Sequence, residues 1–186
     1  MTDFTAITLD YRTVHLAVRP VTLPEFRAFL HETGRALPHG VKHAAAYAPG
    51  GVEPVIGVTQ LDAAAYCEWA GRRIGHACRL PGTDELDALM PHTVVSHAHG
   101  VVPDAGFWPH ERGHLPELRG GLKPVFLCEW TREIEEVPSD RDPDRVMAGI
   151  FYPPWLREGN NPLHVHARLL ASESYSFVTF RLAYEG

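Results

Sequence analysis

Apolar residues along the first half of the chain follow two different periods, and each predicts an element. From Thr13 to Val18 apolar and polar positions alternate, which predicts a short strand. Thr22-Leu-Pro-Glu25 then has the form of a capping box, with Pro24 in the first turn, where a missing N–H is harmless. Phe26, Phe29 and Leu30 follow at helical spacing, and Gly34 offers a left-handed stop. Residues 35–57, rich in Gly, Pro and Ala, read as loop. Thr59 and Asp62 repeat the start signal and predict a second helix over residues 60–70. Its face of Ala65, Tyr66, Trp69 and Ala70 turns inward, and Gly71 ends it. A third, short helix is expected from Thr83 to Met90, where Asp84 and Glu85 suit a positive helix start.

Periodicity is lost from Pro91 to Pro124. This segment holds five of the chain's His residues, and a loop of that length is usually functional or mobile. Four β-suited runs follow: Val125–Thr131, Arg145–Phe151, Leu163–Leu170 and Phe177–Tyr184, separated by Pro, Gly, Asn, Asp and Ser. Helices first and strands afterwards is an α+β order rather than alternating βαβ. With no internal repeat and no linker, residues 1–186 are expected to form one domain.

Composition narrows the classes of function. The formal charge is −6 and the 17 basic residues are scattered, which disfavours a nucleic-acid partner. The close pair Arg72-Arg73 sits at an expected helix end, where it answers the helix dipole. No apolar run is long enough to span a membrane, and the acidic start Met1-Thr2-Asp3-Phe4 lacks a signal core, so a cytoplasmic location is expected. Cys67, Cys78 and Cys128 are an odd set without Cys-x-x-Cys spacing. Reduced thiols are the plain reading, with a Cys67–Cys78 bridge left open.

Five segments, in order, carry a family resemblance. They are Pro20-Val-Thr-Leu-Pro-Glu-Phe-Arg-Ala-Phe-Leu30, Pro54 to Gly71 with its Asp62-Ala-Ala-Ala-Tyr-Cys-Glu-Trp-Ala-Gly71 core, Arg79-Leu-Pro-Gly-Thr-Asp-Glu-Leu-Asp87, Cys128-Glu-Trp-Thr-Arg132 and Phe180-Arg-Leu-Ala183. Together, over residues 20–183, they resemble the formylglycine-generating enzyme and sulfatase-modifying-factor family. The family's usual N-terminal strand motif is absent. The resemblance implies a C-type-lectin-like fold, with two main helices on a small, mostly antiparallel sheet with long loops. Locally, Tyr66, Trp69 and Trp130 suit core packing, Arg79 suits a carboxylate or helix carbonyls, Glu85 a backbone N–H, and Glu129 hydrogen bonds that fix a loop.

The departures from the family matter as much. Its oxidases bind copper through two cysteines near the C-terminus, as soft thiolates suit Cu(I). Here those positions fall near Trp155 and Asn160, and no cysteine follows Cys128. The family reaction is therefore not expected. A calcium-binding asparagine of relatives is matched by Phe126, which cannot coordinate a hard cation. Another branch adds a helical bundle whose histidines hold iron, and the residues before the first motif cannot supply one.

Two readings of function remain. One is a ligand- or protein-binding module whose groove is framed by residues 151–168, with Tyr152, Trp155, Asn160 and Arg168 as contact residues. The other is a metal-dependent oxidoreductase. His164-Val-His166 on a strand would place two imidazoles on one face about 7 Å apart. A third ligand from His97, His99, His110 or His114 would complete one transition-metal site for iron, copper or zinc, with iron or copper the ion for an oxidoreductase. The plain alternative is that these histidines and aromatics are ordinary solvated strand and loop residues. Neither a Gly-x-Ser-x-Gly elbow nor a Gly-rich phosphate loop is present.

Overall fold

Asp10 takes a left-handed backbone (φ 54°), and on it the chain turns from β1 (Phe4–Leu9) into β2 (Arg12–Ala17). The computed structural model describes residues 2–41, 54–97, 100–103, 128–140, 142–151, 168–176 and 178–186. The alternation read over 13–18 corresponds to β2. Nothing in the sequence pattern announces β1, because its apolar residues serve both faces: Ile7 is buried beneath the sheet, while Phe4 packs edge-on against Tyr184. β9 (Ala183–Glu185) completes this sheet in the order β1-β2-β9.

Helix α1 (Leu23–Thr33) begins and ends where the sequence indicates. The Glu25 carboxylate accepts both the backbone N–H and the hydroxyl of Thr22, at 2.8 and 2.7 Å, and Gly34 closes the helix at φ 65°. Helix α2 (Gln60–Ile74) starts on Thr59, whose hydroxyl accepts the Asp62 N–H at 3.0 Å. It does not stop at Gly71. Gly75, at φ 80°, is the stop, while Gly71 lies inside the helix because the returning chain passes too close for a side chain. A Cβ there would meet the His76 carbonyl oxygen at 2.5 Å and the Cys78 nitrogen at 2.8 Å. Helix α3 (Thr83–Thr93) likewise runs past its expected end at Met90. Pro91 falls in its last turn, where the proline removes a single ladder donor.

Two short paired strands, β3 (Val94–His97) and β4 (Gly100–Pro103), occupy the start of the segment expected to be loop. The second main sheet has the order β7-β6-β5-β8, built from β5 (Cys128–Glu136), β6 (Val146–Phe151), β7 (Arg168–Leu170) and β8 (Val178–Thr179). All its pairs are antiparallel except β5–β8. The last expected strand, 177–184, is in fact divided. Its β8 part joins β5 and its β9 part joins β2, so one apolar run serves two sheets.

The core has two halves. Phe26 and Phe29 of α1, Tyr66 of α2, Trp130, Ile150 and Phe180 form the larger, with Tyr66 and Phe180 rings 5.4 Å apart edge-on. Ile7, Val14 and Leu16 join Leu86, Leu89 and Phe151 in the smaller. Neighbouring Ile150 and Phe151 thus serve opposite halves, as strand alternation requires. Burial of the inward stripe of α2 falls on Ala63, Tyr66, Cys67, Ala70 and Gly71, whereas Ala65 and Trp69 are only half-buried. Trp69 donates to Glu32 at 3.2 Å, and Arg73 stacks on its ring while bonding Glu32 at 2.7 Å. Among the described residues, no helix is long and apolar enough to cross a membrane.

Candidate functional site

β6 and β7 are neighbours in one sheet, with Gly149 opposite Arg168, and residues 152–167 connect them. The ends of that connection are therefore held side by side. Phe151 at one end has no solvent exposure. At the other, exposed Arg168 forms an ion pair with Glu135 of β5. Of the candidate contact residues, Arg168 is placed on this frame. Tyr152, Trp155 and Asn160 lie outside the described residues, as do His164 and His166, His99, His110 and His114. His97 ends β3. Among the described residues, no group of three or more His, Cys, Asp or Glu side chains could hold a metal ion.

The frame beneath is built by a bulge. Trp130 pairs with Ile150 and Ile134 with Ala148, so residues 131–133 of β5 bow over Gly149 alone. A Cβ on Gly149 would meet the Thr131 hydroxyl oxygen at 2.4 Å and the Glu133 Cβ at 3.3 Å. Glycine is needed here for close approach. The Thr131 hydroxyl is fully buried and has no hydrogen-bond partner among the described residues. The bulge also turns Arg132 outward, so that its backbone N–H donates to the Pro81 carbonyl at 2.9 Å. Trp130 is fixed in the core by its indole N–H, which donates to the Val58 carbonyl at 3.0 Å.

Around this sheet the charged motif residues are paired with one another. Glu85 is fully buried at the start of α3. It accepts Arg79 at 2.7 and 2.8 Å, Arg12 at 3.1 Å and the Gly82 N–H at 2.8 Å, and Arg132 lies 3.5 Å away. Burial pushes the Glu85 carboxyl up. Hydrogen bonds from Arg79 and Gly82, with the charges of Arg79 and Arg132, outweigh that and hold it below its ordinary value. Arg79 meets the Leu80 carbonyl and Glu185 as well. The sequence reading of Arg79 and Glu85 is thus realised on both sides.

Glu129 makes the hydrogen bonds expected of it, and they do more than hold a connection. Its carboxylate takes two hydrogen bonds from Arg181, in the connection between β8 and β9, each 2.6 Å, with both side chains fully buried. Arg181 also donates to the carbonyls of Ala17 and Val18 at 3.0 and 3.2 Å, tying the two sheets together. The available signal was one Arg and one Glu, each inside an otherwise apolar segment, because buried charges need partners.

All three cysteines are free and buried, and Cys67 and Cys78 are not bridged. Burial pushes the Cys67 thiol well above its ordinary value and Cys78 up to about 11. These thiols sit in the core of the helices and sheet, and a two-thiolate copper site does not fit them.

Comparison with known proteins agrees with this architecture. Residues 5–88 match the sulfatase-modifying factor enzyme 1-like domain. The chain is similar in fold to the crystal structure of CarF, at 14% identity and TM-score 0.53, over 100% of this chain and 97% of that one. It is also similar to PvdO from Pseudomonas aeruginosa, at 14% identity and TM-score 0.51, over 100% of this chain and 92% of that one. No curated protein matches its sequence.

Proposed function

We propose that this chain, whose residues 5–88 match the sulfatase-modifying factor enzyme 1-like domain and which has no cysteine after Cys128, acts as a binding module. Its ligand would be a small molecule or a protein segment, taken up by residues 151–168. The observation that carries this reading is the β6–β7 pair, which holds both ends of residues 152–167 on a frame with a buried Phe151. Recognition surfaces are commonly loops whose ends are fixed by a rigid sheet. Tyr152 and Trp155 would supply aromatic contact area, Asn160 and Arg168 hydrogen bonds.

The test is affinity selection of a metabolite extract on the purified chain, read by mass spectrometry. The Tyr152→Ala/Trp155→Ala/Arg168→Ala variant serves as control. Compounds retained by the wild type and lost by the variant support the reading. Equal retention by both, or conversion of a peptide cysteine to formylglycine by the wild type, defeats it.

His164-Val-His166 favours the second reading, a metal-dependent oxidoreductase with iron or copper. Metal content separates the two. Stoichiometric iron or copper that disappears in His164→Ala/His166→Ala would sink the pure binding reading, and metal-free protein would sink the oxidoreductase.

A further inference from the structure

Among the described residues, the three-stranded sheet leaves one row of backbone groups along β1 unused. The Val18 N–H donates to the Asp3 carbonyl at 2.8 Å, and the register sets Thr5 against Leu16, Ile7 against Val14 and Leu9 against Arg12. In an antiparallel ladder, hydrogen-bonded pairs recur at every second residue. Asp3, Thr5, Ile7 and Leu9 therefore turn their N–H and C=O groups toward β2, and Phe4, Ala6 and Thr8 turn theirs away. β1 ends the order β1-β2-β9, and among the described residues no strand pairs with its outer edge.

Sheet edges are usually blunted by Lys, Pro, a bulge or a short strand. Phe4-Thr-Ala-Ile-Thr-Leu9 has no charge and no proline, and its register with β2 is unbroken from Phe4 to Leu9. The side chains of Ala6 and Thr8 are exposed.

We propose that this edge pairs with the same edge of a second copy of the chain, as an antiparallel β1–β1 contact. The phase of the free groups fixes the register. Outward-facing residues must meet each other, so Ala6 faces Ala6 on the two-fold axis, Phe4 faces Thr8, and Thr5 faces Ile7. A two-fold contact sets a patch against itself, so a charge on the axis would meet its own sign. The uncharged run from Phe4 to Leu9 avoids this, and the smallest chiral side chain lies on the axis. Thr5 against Ile7 is a β-branched pair suited to sheets. A single strand edge buries less than a standard interface of about 1,200–2,000 Å², so the dimer is weak and concentration-dependent.

Sedimentation velocity from low micromolar to about 0.5 mM tests it. The wild type should pass from monomer to dimer across that range. Ala6→Lys and Ala6→Glu each set like charges about 5.5 Å apart between backbones across the axis. Each alone should weaken association at least about tenfold, with unchanged circular dichroism, and an equimolar mixture of the two should recover it. A wild type that stays monomeric, single variants that dimerise as well as the wild type, or a mixture that stays monomeric would overturn the proposal. If the edge instead receives an extended segment of another protein, the first of these outcomes follows.

Discussion

Arg181, two residues beyond β8, and Glu129 on β5 share two hydrogen bonds of 2.6 Å with no solvent exposure on either side chain. The pair is more than a local contact. Through the Ala17 and Val18 carbonyls the same guanidinium reaches the end of β2, so both sheets depend on one cation. Removing one charge strands the other in the core. Glu129→Gln is expected to destabilise the fold by about 3–5 kcal/mol, because the residual charge loses its compensation. Urea unfolding followed by Trp fluorescence checks this. A loss below about 1 kcal/mol, the scale of an exposed ion pair, would mean that the pair is solvated.

Glu85 gives the chain a defined acid sensitivity. Its folded carboxyl titrates below its ordinary value of 4.5, so the folded state holds the charged form better than the unfolded chain does. The stability gained is present above the unfolded value and is lost as pH falls through 4.5 toward the folded one. Glu25, held low by Arg19 and Thr22 against the upward push of burial, acts in the same direction. Thermal melts of the wild type should therefore fall as pH is lowered from 6 to 3, as is general for paired carboxylates. Glu85→Gln should start lower at pH 6 and fall less steeply. Parallel pH profiles for the two proteins would contradict this account.

Local rules in the sequence account for the helix starts, the stop at Gly34 and the core position of Trp130, because caps and aromatic packing are decided by a few neighbouring residues. A carboxylate for Arg79 and a backbone N–H for Glu85 were each legible, although not that the two side chains meet one another. The illegible features all depend on distant partners. Gly71 looks like a helix stop until the chain at His76 and Cys78 is seen to press against it. Phe177–Tyr184 reads as one strand, yet its two ends pair with different sheets. The partner of Glu129 could not be read from its neighbourhood, because Arg181 lies far along the chain. Arg168 is the part of the candidate surface that the described residues place, and its ion-pair partner Glu135 follows the β5 bulge, which no local pattern announces.

Thr131 and Gly149 should behave as a coupled pair. The Thr131 hydroxyl is buried without a partner among the described residues, so Thr131→Val removes an unmet polar group at nearly constant shape and should be neutral or stabilising, by up to about 1 kcal/mol. Gly149→Ala drives a Cβ into that hydroxyl at 2.4 Å and should destabilise by about 1–3 kcal/mol. In Thr131→Ala the obstructing oxygen is gone, so adding Gly149→Ala should cost clearly less than it does in the wild type. Denaturant midpoints for the four proteins of the cycle measure the coupling. Strict additivity would show that the bulge yields elsewhere.

The cysteines provide a test of the same core from chemistry rather than stability. A thiol reacts as the thiolate, and burial raises Cys67 well above its ordinary value and Cys78 to about 11. Cys128, like Cys67, has no exposure, and Cys78 is only 8% exposed. At pH 8 the native chain should therefore give almost no fast reaction with a chromogenic disulfide reagent. Three equivalents should react at once when the chain is unfolded in denaturant, since all three cysteines are free. Labelling of the native state should then follow opening of the fold, so Glu129→Gln, with its weakened junction between the sheets, should label faster than the wild type. A rapid equivalent in the native wild type would place a thiol at the surface. Only one equivalent in denaturant, recovering to three after reduction, would mean that two of the cysteines are bridged.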